Sequence, residues 1–264
     1  MSRPLAQDGV SATERGTQVI APVIVGLLLL ATWWLLVEGV QITPTSVPGP
    51  EEVVGAGLAN WGIILEDMLV TGANALIGLI GGALLGVLLA GLASRFAAAD
   101  GMLAPIVVVL AVVPIVALAP IFNAMFGAGT QTARQLIALI ASFVPIFVNT
   151  LRGLRQTRPV HRDLFRASAA TGRQTFLRLT LPTALPFVLT GLRIASSLAV
   201  ISALVAEYFG GPLEGIGASI GSYAKSGNHP LAWAYVGGGI FIGLVFFLVT
   251  LLLDWIVNRH RPAP

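Results

Sequence analysis

The chain has 264 residues, of which 56% are hydrophobic and only 10% charged. Soluble domains carry about 25% charged residues, so this composition excludes an ordinary water-soluble domain and makes lipid the main solvent. The absence of cysteine excludes disulfides, Fe–S clusters and thiolate catalysis. The net charge of +3 does not announce a nucleic-acid binder, because most arginines crowd into one loop and no aromatic-interleaved basic patch occurs elsewhere.

In chain order, residues 1–18 are polar and mixed in charge, and residues 16–37 then run uncharged for 22 positions. About 20 suffice for a helix to cross the hydrocarbon core. A cleaved signal peptide is the competing reading, but VEGVQITP offers no small-x-small cleavage site. A retained helix follows, with Trp33 and Trp34 at its far interface. Pro44, Pro48 and Pro50 interrupt the next stretch, and Pro50 before Glu51 and Glu52 starts a short helix to about residue 61. Between residues 16 and 94 there are five acids and no lysine or arginine, which places that segment outside the cytoplasm. Residues 68–94 form the second span. Gly78, Gly82 and Gly86, with Ala90 after them, make a small-residue groove for close helix packing in lipid.

Arg95 marks a return to the cytoplasm. Residues 101–133 carry no charge but contain Pro105, Pro114 and Pro120, then FGAGT, which predicts a bent helix inside a bundle. A span over 135–151 contains Pro145. The loop 152–182 follows, with seven arginines against one acid, Asp163. Residues 179–206 are apolar apart from Arg193, and Glu207 ends them. A glycine-rich connector leads to a last span over 231–253.

The count gives an all-α polytopic membrane bundle of about six transmembrane helices with N and C termini inside. This topology leaves twelve basic residues in cytoplasmic segments and only Arg134 and Lys225 outside. The chain divides into a cytoplasmic tail (1–18), a transmembrane domain (19–258, containing the loop 152–182) and a C-terminal tail (259–264).

Bond chemistry finds little footing. No phosphate-loop motif exists, and the only lysine, Lys225, follows alanine. His161, His229 and His260 are far apart, so no metal site is expected. Ser219 in GASIG matches G-x-S-x-G, but that motif needs a strand-to-helix turn and acid and histidine partners. Charge within a membrane is costly and faces protein or water. Arg193 and Glu207 are therefore pathway candidates, with Asn74, Asn123 and Asn149 behind them. Fourteen residues separate Arg193 from Glu207, about 21 Å along a helix, so they do not pair. The competing reading makes Arg193 scaffold.

Several segments resemble the permease subunits of binding-protein-dependent ATP-binding-cassette importers, in the sulfonate, taurine, nitrate and thiamine-precursor branch. They are TPTSVPGPEEVV, PIVALAPIFNAMFGAG, FVPIFVNTLRGLR and above all FRASAATGRQTFLRLTLPTALPFVLTGLRIA. The last is similar to the cytoplasmic coupling motif and ends on Leu179-Thr180-Leu181-Pro182. Counting back, the family's glycine falls on Ala169 and its glutamate on Asp163, while Gly172 lies three residues late. The resemblance implies a type I importer permease fold and a short helix over about 160–170 that docks on an ATPase. The implied coupling residues are Val160, Arg162, Asp163, Leu164, Phe165, Arg166, Ala167, Ala169, Ala170 and Gly172. Independently, Val160, Leu164 and Ala167 recur at i, i+4, i+7 as an apolar stripe. Such a short helix is marginal in water without a partner.

The implied partners are ABC ATPase subunits, a second permease copy in a homodimer and an extracytoplasmic substrate-binding protein, with membrane lipid around them. ATP and Mg would be bound by the ATPase, and this chain itself holds no cofactor. Two other readings of the loop stay open: a merely solvated positive-inside loop, or a contact for anionic headgroups. An ion-driven secondary transporter is the alternative function, and it calls for midplane ionisable residues and paired broken helices.

Overall fold

The computed structural model describes residues 12–39 and 47–259, apart from the side chains of 12–19, 22 and 116. Every regular element among them is helical. α1 (Ala12–Trp34) runs on through a wider π-type turn, Leu35–Gly39. It starts within the segment read as a tail. α2 (Pro50–Ala59) opens on a proline with Glu51 and Glu52 in its first turn, where acids oppose the exposed N–H groups. Then come α3 (Trp61–Arg95), α4 (Ala97–Val112), a 3-10 turn (Ile115–Leu118), α5 (Ala119–Phe126) and α6 (Thr132–Arg155). Beyond α6 lie α7 (Pro159–Ala167), α8 (Gly172–Thr175), a π-type turn (Phe176–Thr180) and α9 (Leu181–Tyr208). α10 (Ile216–Lys225) and α11 (His229–Asn258) close the chain.

Among the described residues four helices are long and apolar enough to cross a membrane: Trp61–Arg95, Thr132–Arg155, Gly172–Tyr208 and His229–Asn258. Two shorter apolar helices, Val23–Gly39 and Ala97–Val112, accompany them. The stretch expected as one bent span over 101–133 is in fact broken. α4 ends at Val112, Val113 is extended (φ −64°, ψ 129°) and Pro114 follows. A residue before proline is driven out of the α region, so the helix stops there instead of kinking.

α3, α6 and α9 form the centre, with α11 against α9 and α3. Small residues set the α3–α6 distance. A Cβ on Gly82 would stand 2.7 Å from the Leu139 carbonyl oxygen, and one on Gly86 3.0 Å from Ile146 Cγ2. Gly78 lies as tightly against Ala138. The α6–α9 contact uses Gly153 under Phe187 and Gly191 against Pro145 and Asn149. Without a hydrophobic force between helices in lipid, this backbone approach is what dispersion attraction requires. The outward faces stay apolar and exposed, as at Leu84, Leu88 and Leu248. An ion pair of 2.8 Å between Arg155 and Asp100 ties the end of α6 to α4.

Candidate functional site

Two polar constellations lie at opposite ends of α9. The first is α7. Arg158 is extended and Pro159 supplies the first helical residue, whose missing N–H costs nothing there. On the helix, Val160 is 74% exposed and Leu164 62% exposed. Both lie on one face with Ala167, while Arg162 and Arg166 lie on the other. Phe165 is half-buried between them. Asp163 takes an exposed 3.3 Å ion pair from Arg166, a contact of little energy.

The end of α7 is closed by backbone chemistry. Ala170 N–H donates to Phe165 O (3.0 Å) and Ala169 N–H to Arg166 O (3.0 Å), the paired bonds of a Schellman stop. That stop requires a left-handed residue, and Ala169 holds φ +50°. The position where the importer motif has glycine is therefore the one whose backbone favours it. Gly172, three residues on, has no positive φ. It opens α8 behind a capping box, in which Thr171 N–H donates to Gln174 Oε1 (2.8 Å) and Gln174 N–H to Thr171 Oγ1 (3.3 Å).

The second constellation is a buried polar cluster. Glu207, 1% exposed, accepts from Thr71 Oγ1 (2.8 Å), from Gly217 N–H (3.0 Å) and from Asn74 Nδ2 (3.4 Å). Asn74 also donates to Gln131 Oε1 (2.9 Å) and accepts from Gln135 Nε2 (3.2 Å). Arg134 has no exposed surface. Its Nη1 donates to Gln131 Oε1 (2.7 Å) and Glu214 O (3.0 Å), and its Nη2 to the carbonyls of Pro212 and Gly210. Asp67 accepts from Gly215 N–H (2.7 Å) and from Ser219 Oγ, so Ser219 is committed as a donor to a carboxylate. The connector between α9 and α10 is thereby gripped from α3 and α6. Its turn needs Gly210, Gly211 and Gly215, all at positive φ.

The structure thus brings Asn74 and Glu207 together and buries Asn123 beside the same connector, next to Gly211. It keeps Arg193 and Asn149 apart from them. Arg193 pairs with Asp254 of α11, and Ser196 lies 3.2 Å from Thr250 just beyond. Asn149 Nδ2 donates to Pro145 O (2.8 Å) within α6. Sequence reasoning missed Thr71, Asp67, Gln131 and Gln135. It counted Arg134 only as a charge outside the cytoplasm and did not foresee that the side chain is wholly enclosed. Four acceptors converge on its two terminal nitrogens, while the buried Nε has no hydrogen-bond partner among the described residues. The only warning was positional: Arg134 directly precedes an uncharged span. His260 lies outside the described residues, and among those described no group of acids and histidines could hold a metal ion.

Comparison with known proteins agrees with this architecture. The chain is 34% identical over 205 residues to the formylaminopyrimidine transport permease ThiX of Halalkalibacterium halodurans, covering 77% of this chain and 81% of the relative. It is 27% identical to the taurine transport system permease TauC of Escherichia coli, over 89% of this chain and 86% of that one. It is 31% identical to the nitrate import permease NrtB of Leptolyngbya laminosa, over 71% and 64%. In fold it matches a chain of the MetNI methionine ABC transporter, solved in inward-facing conformations, with a TM-score of 0.65 at 16% identity over 75% of this chain and 98% of that one. Residues 82–263 match the family model of binding-protein-dependent transport system inner membrane components, and the chain belongs to that family as a permease subunit of an ABC importer.

Proposed function

We propose that this permease imports a small nutrient of the sulfonate, nitrate or pyrimidine-precursor class, and that α7 is its mechanical input from a separate ATPase. The observation that carries the coupling role is the exposed Val160–Leu164 stripe on a short helix with a built stop at Ala169. A short helix with an exposed stripe of this kind is marginal in water, and a partner groove that covers the stripe stabilises it. The relatives' names supply the substrate class.

In this scheme both termini and loop 152–182 face the cytoplasm, residues 19–258 form the transmembrane unit, and two copies of the chain enclose the pathway. ATP and Mg bind the ATPase, whose closure moves the docked helices together and turns the bundle outward. Substrate then enters from the external binding protein, and hydrolysis restores the inward-facing state. This chain supplies coupling and passage without bond chemistry. The pathway candidates divide accordingly. Glu207, Asn74 and Asn123 belong to the cluster at the far end of α9, and Arg193 braces α9 against α11.

The test is co-purification with the cognate ATPase subunit. Deleting residues 163–172, or introducing Val160→Asp with Leu164→Asp, should abolish association while membrane insertion stays intact. Undiminished association would remove α7 from the mechanism.

A further inference from the structure

Behind α7, on the side away from the Val160–Leu164 stripe, lies a cleft formed by two adjoining cavities of about 610 and 580 Å³. Arg95 at the end of α3, Arg162 of α7, Phe176 and Thr180 line both. Arg166 and Thr175 face the outer cavity. Among the described residues, neither Arg95 nor Arg162 has a carboxylate within ion-pair distance, although Arg155 and Arg166 do. Arg95 instead rests its guanidinium over the ring of Phe96, 5.6 Å from its centre.

The inner cavity changes character as it rises along the bundle. Val87 and Gly91 of α3 lie on the same helical stripe as Arg95, and Leu181, Ala184 and Val188 of α9 continue the opposite wall. Val87 and Arg95 are eight residues apart, so the apolar wall is about 12 Å long at 1.5 Å per residue. A basic mouth with hydroxyls, opening on an apolar slot of that depth, fits a molecule with an anionic oxyanion head and a hydrocarbon tail. A soluble anion would satisfy the arginines but gain nothing from the slot.

We propose that this cleft binds an anionic phospholipid, its phosphate between Arg95 and Arg162 and the start of one acyl chain along Val87, Gly91 and Val188. The inference rests on the cytoplasmic placement of α7 for the choice of leaflet, but not on ATPase docking. Because Arg162 belongs to α7 while Arg95 belongs to α3, the headgroup bridges the coupling helix to the bundle and steadies its orientation.

The test uses the full-length permease in nanodiscs of phosphatidylcholine containing a few per cent fluorescent phosphatidylglycerol, with energy transfer from a label on α7 reporting proximity. Arg95→Gln with Arg162→Gln should lower phosphatidylglycerol enrichment at α7 by about thirtyfold, the scale of two headgroup contacts. Arg158→Gln with Arg173→Gln removes the same charge from the cytoplasmic loop 152–182 but outside the cleft, and should change enrichment less than about twofold. Equal losses in both pairs would reduce the effect to general positive-inside attraction and overturn the site. Displacement of the lipid by millimolar inorganic phosphate would overturn the lipid assignment in favour of a free oxyanion. Binding of wild-type and variant permeases to the ATPase, measured in parallel, separates failure of this site from failure of the docking role.

Discussion

Arg134→Met tests whether the buried cluster holds the α9–α10 connector. Methionine keeps the volume, but Gln131 Oε1 and the carbonyls of Gly210, Pro212 and Glu214 lose their donor in a place with no exposure. Removing one side of a buried charged network costs about 3–5 kcal/mol. Stranding three carbonyls at roughly 1–3 kcal/mol each gives a figure of at least similar size. In a chain of this size 1 kcal/mol corresponds to roughly 2–4 °C, so the melting temperature should fall by about 10 °C. Scanning calorimetry in detergent at a fixed heating rate reads the shift, and hydrogen exchange should show lost protection over residues 210–217. Arg134→Lys keeps the charge on one nitrogen and should fall between the two. A loss below about 2 °C for Arg134→Met, with unchanged exchange, would refute the idea that this side chain organises the connector.

Gly82→Ala should cost about 1–3 kcal/mol, because its methyl meets the Leu139 carbonyl and Ser142 Cβ instead of a flexible chain end. Gly72→Ala on the same helix meets nothing within 4 Å and should be neutral or stabilising by up to about 1 kcal/mol; thermal melts of the two decide. Ala169→Gly should relieve about 1 kcal/mol of left-handed strain and slow amide exchange at Ala169 and Ala170, whereas Ala169→Val should do the opposite. Asp254→Asn should destabilise by about 1–3 kcal/mol, and exchanging the two charges (Arg193→Asp with Asp254→Arg) should recover part of it; a double-mutant cycle with no coupling would mean the α9–α11 pair is incidental.

How much of this was legible in the sequence depends on what each residue answers to. The helices over 68–94, 135–151 and 231–253 were visible because run length in lipid is set by backbone hydrogen bonding, which depends on no neighbour. α7 was visible because the importer-like motif and its apolar stripe are both local; the structure starts it one residue before the expected 160 and ends it at Ala167. The break at Val113 was missed although Pro114 was seen, since a proline in a span can bend it or end it and only the packing around it decides. The burial of Arg134 was not foreseen because a charge counts as solvent-facing until its acceptors are known. Three of its four acceptors are carbonyls 76 to 80 residues away, which no local pattern reveals. Gly153 and Gly191 were not read as packing positions for the same reason, as each stands alone and matters only through the helix opposite.

The segment Gly172–Tyr208 is continuous helix of 37 residues, α8 and α9 joined through the π-type turn, about 55 Å from end to end. Its start adjoins the Ala169 stop, and Glu207 sits one residue from its finish. Pro186, 14 residues from its start, removes a backbone donor inside it and gives a point about which it can tilt. From that point Glu207 is 21 residues, about 32 Å, distant, so a tilt of roughly 5° sweeps its carboxylate through about 3 Å. The bond from Gly217 N–H, 3.0 Å long, is lost with less than about 1 Å of stretch. The same tilt moves Gly172, about 21 Å on the other side of Pro186, by about 2 Å, so the two ends of this segment shift together and by similar amounts.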